Sequence, residues 1–150
     1  MGRRGREDPS DGRADSGNAD AQGVFGLPDI VAAFHFDLAE WLGSDALPKV
    51  FDRISGALDE AFTSVVTTGH AVDRETLLAG LWSARNAQPG LAIEVSEVRE
   101  IARSGNLIVL RFVAENVMGE TTTRRTVTAV LVTDGRIYQW RTVHETLVPA

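Results

Sequence analysis

The sequence contains no cysteine, which excludes disulfide bonds, thiolate metal sites and a cysteine nucleophile. It also has no apolar run close to the roughly 20 residues that a membrane-spanning helix needs. Three arginines, Arg3, Arg4 and Arg6, lie near the start, but Glu, Asp, Pro, Ser and Gly follow them instead of the apolar core of a signal peptide. We therefore expect a cytoplasmic protein that folds in a reducing compartment.

Positive charge is also scarce. The chain has 15 Lys and Arg against 21 Asp and Glu, which gives a formal net charge of -6 at pH 7. Nucleic acid and anionic membranes attract basic surfaces, so we expect neither to be a partner. The three histidines lie far apart without metal-binding spacing, and no glycine-rich phosphate loop follows a strand. We expect neither a metal nor a cofactor.

The length and composition are those of one globular domain: 150 residues, 43% of them hydrophobic and 24% charged. Residues 1–22 are mostly Gly, Arg, Asp, Ser and Asn, with almost nothing to bury. Ordering such a segment costs conformational entropy that no core offsets. We predict a disordered tail over residues 1–22 and one folded domain over residues 23–150.

Three stretches carry apolar residues at helical spacing. The first covers residues 30–42 and ends at Gly43, and the second covers residues 47–58. The third has the clearest start signal, because Asp73 can serve as its N-cap. The predicted buried face of this third helix consists of Leu77, Leu78, Leu81 and Trp82.

After Pro89 the pattern is that of strands throughout. The apolar alternation slips between Val95 and Val98, which predicts a bulge that bends the sheet. Helices followed by antiparallel hairpins are typical of an α+β fold. We therefore predict three N-terminal helices packed on a strongly curved, mostly antiparallel sheet, forming a cone with an internal pocket. The predicted strands cover residues 62–68, 91–103, 107–118, 123–133 and 136–148.

Three motifs, in order, resemble the nuclear transport factor 2-like superfamily, which has a cystatin-like cone fold. They are Gly69–Leu78, where a turn opens the third helix, then Arg124–Ala129 and Trp140–Thr146. The similarity covers roughly residues 28–148 and is greatest to the bacterial group called domain of unknown function 4440. It implies a pocket between the helices and the concave face of the sheet, and a homodimer through the sheet. Relatives include ketosteroid isomerase, SnoaL-type polyketide cyclases, scytalone dehydratase and non-enzymatic association domains, so the resemblance does not choose a function.

The last strand carries most of the residues that we predict to line the pocket. On a regular strand His144 shares a face with Tyr138 and Trp140, and such a face suits an aromatic or polyketide-like ligand. Histidine is readily poised as an acid or base near neutral pH, so His144 is the candidate catalytic residue, with a structural or surface role as the alternative. Glu145 would then point to the opposite face. The predicted ligand-binding residues are Trp41, Trp82, Arg111, Tyr138, Trp140 and His144.

Two further groups of charged residues have open interpretations. Arg111 and Glu115 share a face of one long strand, and Arg125 on the next strand could join them, either across the pocket or as an ion-pair network on the outer face. Asp37 and Glu40 lie opposite the apolar stripe of the first helix, which favours contact with water.

The function predicted from these features is the binding of a small hydrophobic or aromatic molecule without a cofactor. One alternative is a cofactor-independent cyclase, isomerase or dehydratase that uses His144 as general acid or base. Steroid isomerisation is disfavoured, because Tyr138 is the only tyrosine and no Asp falls inside the predicted long strands. The other alternative is an association domain whose role is dimerisation.

Overall fold

The structure, a computed structural model, describes residues 26–149. The predicted tail over residues 1–22 lies outside the described residues, as do the first three residues of the predicted domain. The chain divides into a leading unit that ends at Ile30 and a larger unit that begins at Val31. The described part of the leading unit opens a helix, in which the backbone N–H groups of Asp29 and Ile30 donate to the carbonyl of Gly26.

The described residues form three helices and six strands, which confirms the predicted α+β class. The helices come early in the chain and the long strands follow, as the sequence pattern predicted. The elements are α1 (Leu27–Gly43), α2 (Pro48–Gly56), β1 (Leu58–Val65), β2 (Ala71–Asp73), α3 (Arg74–Ser83), β3 (Ala92–Ser104), β4 (Leu107–Met118), β5 (Thr121–Thr133) and β6 (Tyr138–Leu147).

The six strands form one sheet in the order β2-β1-β6-β5-β4-β3. Neighbouring strands are antiparallel except β1 and β6, which run parallel, so the prediction of a mostly antiparallel sheet is confirmed. A tight turn joins β5 to β6, in which Asp134 Oδ1 accepts hydrogen bonds from the backbone N–H groups of Arg136 and Ile137. Gly135 supplies the left-handed backbone, with φ of 94°, that the turn requires.

The predicted bulge in the first long strand is confirmed. Pairing between β3 and β4 shifts register between Ser96 and Arg99, and Glu97 takes a left-handed conformation with φ of 57°. An extra residue of this kind bends and twists the strand.

A second bulge lies in β6, and no pattern in the sequence predicts it. Trp140 pairs with Leu131 on β5, but Thr142 pairs with Val130, the next residue along, so Arg141 is an extra residue. Because side chains on a strand alternate between faces, one extra residue reverses the faces of every residue beyond it.

One face of the sheet is covered by α1, and we call it the inner face; the opposite side is the outer face. His35 of α1 lies against Phe112 and Trp140, with ring centroids 5.3 and 6.0 Å apart. Every second residue of the central strands is buried on this face, as half-covered strands require. These residues are Ile108, Leu110, Phe112 and Ala114 of β4 and Arg125, Val127, Ala129 and Leu131 of β5.

Helices α1 and α2 share a core of their own. Its fully enclosed members are Trp41, Ala46, Val50 and Ile54. The indole N–H of Trp41 donates to the carbonyl of Leu81 at 2.6 Å, which ties α1 to α3. Along α1 the buried residues recur every four positions, at Val31, His35 and Ala39.

Helix α3 departs from its prediction. It begins as predicted, with Asp73 Oδ1 accepting a hydrogen bond from the N–H of Thr76 at 2.8 Å. The predicted buried face is wrong, since no residue of α3 is buried and Trp82 is 56% exposed. The reason is position: α3 packs on β1 and β2 at one edge of the sheet, where only one side of the helix finds cover. Strand β2 has three residues, too few for a pattern to reveal it.

Candidate functional site

Two of the predicted ligand-binding residues, Trp41 and Trp82, meet each other between the helices. Their rings stack with centroids 5.6 Å apart, and Phe51 of α2 packs against both. Trp41 is fully buried and Arg85 lies over its ring, whereas more than half of Trp82 is exposed. The cluster is a helix-packing core with one accessible edge.

Trp140 belongs to a second aromatic cluster on the inner face. Its ring centroid lies 5.1 Å from that of Phe34 and 6.0 Å from those of His35 and Phe112. Phe34 also packs against the helix core, so it joins the two clusters. Tyr138 begins β6 two residues before Trp140 and is half-buried.

His144 lies on the outer face, so the expectation that it shares a face with Trp140 is wrong. The bulge at Arg141 falls between the two residues and reverses the alternation. His144 is exposed and pairs with Thr128 of β5, which in turn pairs with Arg111 of β4. Glu145, expected opposite His144, is therefore on the inner face.

Arg111 likewise lies on the outer face, where its Nε donates to Thr128 Oγ1 at 3.1 Å. The charged cluster considered for Arg111, Glu115 and Arg125 is split between the two faces. Glu115 forms an ion pair with Arg124 at 2.9 Å, on the outer side, while Arg125 is on the inner side.

His35 is the buried imidazole of the inner face, and 6% of the residue is exposed. Its Nδ1 lies 2.8 Å from the carbonyl oxygen of Val31. A carbonyl only accepts, so Nδ1 carries the hydrogen and Nε2 of the neutral ring offers a lone pair. Burial lowers the pKa of His35 to about 4; the hydrogen bond to Val31 opposes this shift and the charge of Arg125 adds to it.

Arg125 carries a positive charge into the same region, and 9% of the residue is exposed. Its Nη1 donates to Asn116 Oδ1 at 2.6 Å. Its Nε lies 3.4 Å from Glu145 Oε1, close enough for an ion pair, but this buried N–H makes no hydrogen bond to any of residues 26–149. Burial raises the pKa of Glu145, and the charge of Arg125 works in the opposite direction.

The inner face therefore combines aromatic walls with a few polar groups: an imidazole acceptor, a guanidinium donor and a carboxylate. This combination can orient a small organic molecule. Among the described residues, no group of three or more His, Asp or Glu side chains could hold a metal ion.

A shallow depression of about 360 Å³ lies elsewhere, at the edge of the sheet. Residues from β1, β2 and the start of α3 line it, among them Glu60, Phe62 and Arg74. None of the predicted ligand-binding residues belongs to it. No helix within residues 26–149 is long and apolar enough to cross a membrane.

Sequence reasoning missed His35 as an inner-face residue, although a signal for it exists. Val31, His35 and Ala39 recur every four residues, which places the three on one helix stripe. Arg125 had a comparable signal, because it alternates with Val127 and the other buried residues of β5. A polar residue at an apolar position of such a pattern is expected to be buried, and buried polar residues often mark a functional site.

The fold matches solved structures of nuclear transport factor 2-like proteins. One such protein of unknown function, from Pseudomonas aeruginosa, aligns with a TM-score of 0.77 at 23% identity, covering 81% of this chain and 98% of that one. A cystatin-like domain of unknown function from Nostoc punctiforme aligns at 0.56 and 17% identity, covering 82% and 78%. A candidate calcium/calmodulin-dependent kinase II association domain from Exiguobacterium sibiricum aligns at 0.59 and 14% identity, covering 89% and 98%. The chain thus has the nuclear transport factor 2-like, cystatin-like fold, as its motifs predicted.

No protein-family model matches the chain, and no curated protein matches it. Placement in the domain of unknown function 4440 group therefore stays a prediction. Structural similarity at these identities shows the fold and leaves the activity open.

Proposed function

We propose that this domain binds a small hydrophobic or aromatic molecule at its inner face, against the rings of Phe112 and Trp140 and beside His35 and Arg125. Aromatic rings would supply most of the contact area. The polar groups would fix the orientation of the ligand, as is usual in small-molecule sites.

The observation that supports this proposal most strongly is the burial of two ionisable groups on the inner face: His35 lies against those rings, and Arg125 is near enough to affect the pKa of His35. Removing His35 and Arg125 from water costs free energy, several kcal/mol for an ion on the general scale. Apolar residues of similar volume would often stabilise a core equally well or better. The polar groups are therefore better explained by recognition than by folding.

Binding has more support than catalysis. His144, the predicted acid or base of the cyclase, isomerase or dehydratase alternative, is exposed on the outer face and cannot reach a ligand at the inner face. His35 is at the inner face, but its pKa is lowered to about 4. A general base works best when its pKa lies near the operating pH, so His35 would be an inefficient one.

A thermal-shift and native mass spectrometry screen with aromatic and polyketide-like compounds tests the proposal. We expect at least one compound to bind, and we expect Phe112→Leu to weaken it about tenfold, because a wall of the site is lost. Phe36→Leu is the matched control, since Phe36 is 68% exposed on α1. Failure of every compound to bind, or equal weakening by both variants, would contradict the proposal.

A second candidate function, association of two copies through the outer face, has separate support. One structural neighbour is named as a candidate association domain. The outer face of β5 and β6 is mostly polar, with Val130 and Val132 among the polar residues. The polar residues are Thr126, Thr128, Thr142, His144 and Thr146.

Size-exclusion chromatography with light scattering tests this association. We expect twice the chain mass of 16.2 kDa at micromolar concentration. Thr142→Arg should shift the dimer toward monomer, because it places two like charges near each other in a symmetric interface. Ser83→Arg, at an exposed position that ends α3, should leave the mass unchanged. A wild-type mass of one chain would contradict the homodimer.

A further inference from the structure

We infer that the ligand of the inner face carries an anionic group, most simply a carboxylate, which binds to the guanidinium of Arg125. This inference rests on the proposed function, because it specifies the chemistry of the molecule that occupies that face. It predicts preference for hydrophobic acids over neutral molecules of the same shape.

Arg125 is the only basic side chain buried within residues 26–149, apart from the neutral His35. It lies on the inner face of β5, between Ala114 of β4 and Leu147 of β6. A buried guanidinium needs an opposite charge and hydrogen-bond acceptors to offset its lost hydration. The number of acceptors and opposite charges that the surrounding residues supply therefore decides how many N–H donors of Arg125 are left for a ligand.

Two exposed arginines show a guanidinium that binds both oxygens of a carboxylate. Arg53 donates from Nε and Nη2 to both carboxylate oxygens of Asp37, at 2.9 to 3.3 Å. Arg103 does the same to Glu100, at 3.2 and 2.8 Å. This two-point geometry is the strong form of the arginine–carboxylate interaction.

Arg125 lacks that two-point geometry, although a buried guanidinium needs it more than an exposed one because it has lost its hydration. One donor, Nη1, reaches Asn116 Oδ1, and Nε faces Glu145 Oε1 at 3.4 Å without a hydrogen bond. A guanidinium has five N–H donors in a planar fork. Within residues 26–149 no other nitrogen of the Arg125 guanidinium donates a hydrogen bond, so donors remain for the oxygens of a ligand carboxylate.

Glu145 does not satisfy this demand as a permanent counter-ion. Its side chain is 26% exposed, and one oxygen, Oε1, lies 3.4 Å from Nε of Arg125. Burial also disfavours its charged form, since the pKa of Glu145 is raised. A ligand carboxylate would compete with Glu145 for Arg125.

The surroundings of Arg125 favour an acid with an aromatic or hydrophobic body. The rings of Phe112 and Trp140 pack against His35, and the charge of Arg125 contributes to the lowered pKa of the same imidazole. Burial, and to a smaller extent the charge of Arg125, lowers the pKa of His35, so the imidazole contributes no second cation. One positive group beside an apolar wall fits a monoanion with a single ring system.

Isothermal titration of the full chain with naphthalene-2-carboxylate and naphthalene-2-carboxamide tests the inference. The two probes have the same shape and differ in charge. We expect the acid to bind roughly ten- to a hundredfold more tightly, the usual range for a hydrogen bond to a charged group. Equal affinities, or tighter binding of the amide, would overturn the inference and leave the proposed function standing. If neither probe nor any other aromatic compound binds, both fail.

Variants localise the preference. Arg125→Gln should abolish the preference for the acid while the amide still binds, and Arg124→Gln should retain it. Arg124 is the adjacent arginine on the outer side, paired with Glu115. Retained preference in Arg125→Gln would contradict the assignment.

A third variant keeps the test decisive if Arg125→Gln does not fold. Glu145→Gln removes the competing carboxylate and leaves Arg125 in place. We expect it to bind the acid several-fold more tightly than the wild type and the amide unchanged. Unchanged or weaker binding of the acid would contradict the role of Arg125.

Discussion

Burial acts on the two titrating side chains of the inner face in the same sense: it disfavours the charged form of each. It lowers the pKa of His35 to about 4 and raises that of Glu145. Arg125 supplies a buried guanidinium to the same face. The excess at this face is therefore positive, in a chain whose formal net charge is -6.

His35 makes stability depend on pH with a sign that follows from its lowered pKa. An unfolded histidine binds a proton below its ordinary pKa of 6.5, whereas folded His35 stays neutral down to about pH 4. Stability is therefore fully present above pH 6.5 and falls as the pH drops toward 4, by up to about 3 kcal/mol. Urea unfolding at several pH values between 7.5 and 4.5 measures this slope.

His35→Asn should remove most of that slope, because asparagine keeps a donor for the carbonyl of Val31 without titrating. His70→Asn, a change in an exposed turn, should keep it. Glu145 contributes a slope of opposite sign, but it does so in wild type and variant alike, so it cancels in the comparison. An identical slope in His35→Asn and wild type would show that His35 is not buried in its neutral form.

At the level of elements, the sequence predicts most helices and strands well but does not reveal the one-residue bulge in β6. Strand β4 has the bounds that were predicted. The bulge in β3 could be predicted because the alternation of apolar and polar residues shifts by one position there. The bulge in β6 could not, because polar Thr142 and His144 suit a pocket wall as well as they suit an outer surface. Only the pairing partner on β5 reveals that Arg141 is the extra residue.

The end of α1 offers an element-scale prediction. A Cβ on Gly43 would lie 2.9 Å from the backbone N and 3.0 Å from the backbone O of Leu91, which leads into β3. Gly43→Ala should therefore force the helix end and this segment apart and destabilise the fold by about 1–3 kcal/mol. Chemical denaturation measures the loss.

Gly56, at the end of α2, provides the matched control, because a Cβ there would meet nothing within 4 Å. Gly56→Ala should be neutral or slightly stabilising, since alanine favours helix and restricts the unfolded chain. A Gly43→Ala variant as stable as Gly56→Ala would mean that the close approach of α1 to Leu91 is absent.

For the whole molecule, the fold could be predicted from the sequence and the arrangement of the candidate site could not. Helix stripes, strand alternation and turn residues are local signals, and they suffice for an α+β domain with a mostly antiparallel sheet. Which side chains meet depends on pairing between distant strands and on which face α1 covers. For that reason His144 and Arg111, which were predicted to line a pocket together with Trp140, lie on the opposite face of the sheet from it.

The central claim, that the inner face binds the ligand, is tested most directly by the indole N–H signals of the three tryptophans in nuclear magnetic resonance spectra. Trp140 is enclosed at the inner face, Trp82 is exposed on α3, and Trp41 is held by the carbonyl of Leu81. On titration with naphthalene-2-carboxylate, we expect the Trp140 signal to shift and the Trp82 signal to stay unchanged. A shift of Trp82 with Trp140 unchanged would contradict the central claim.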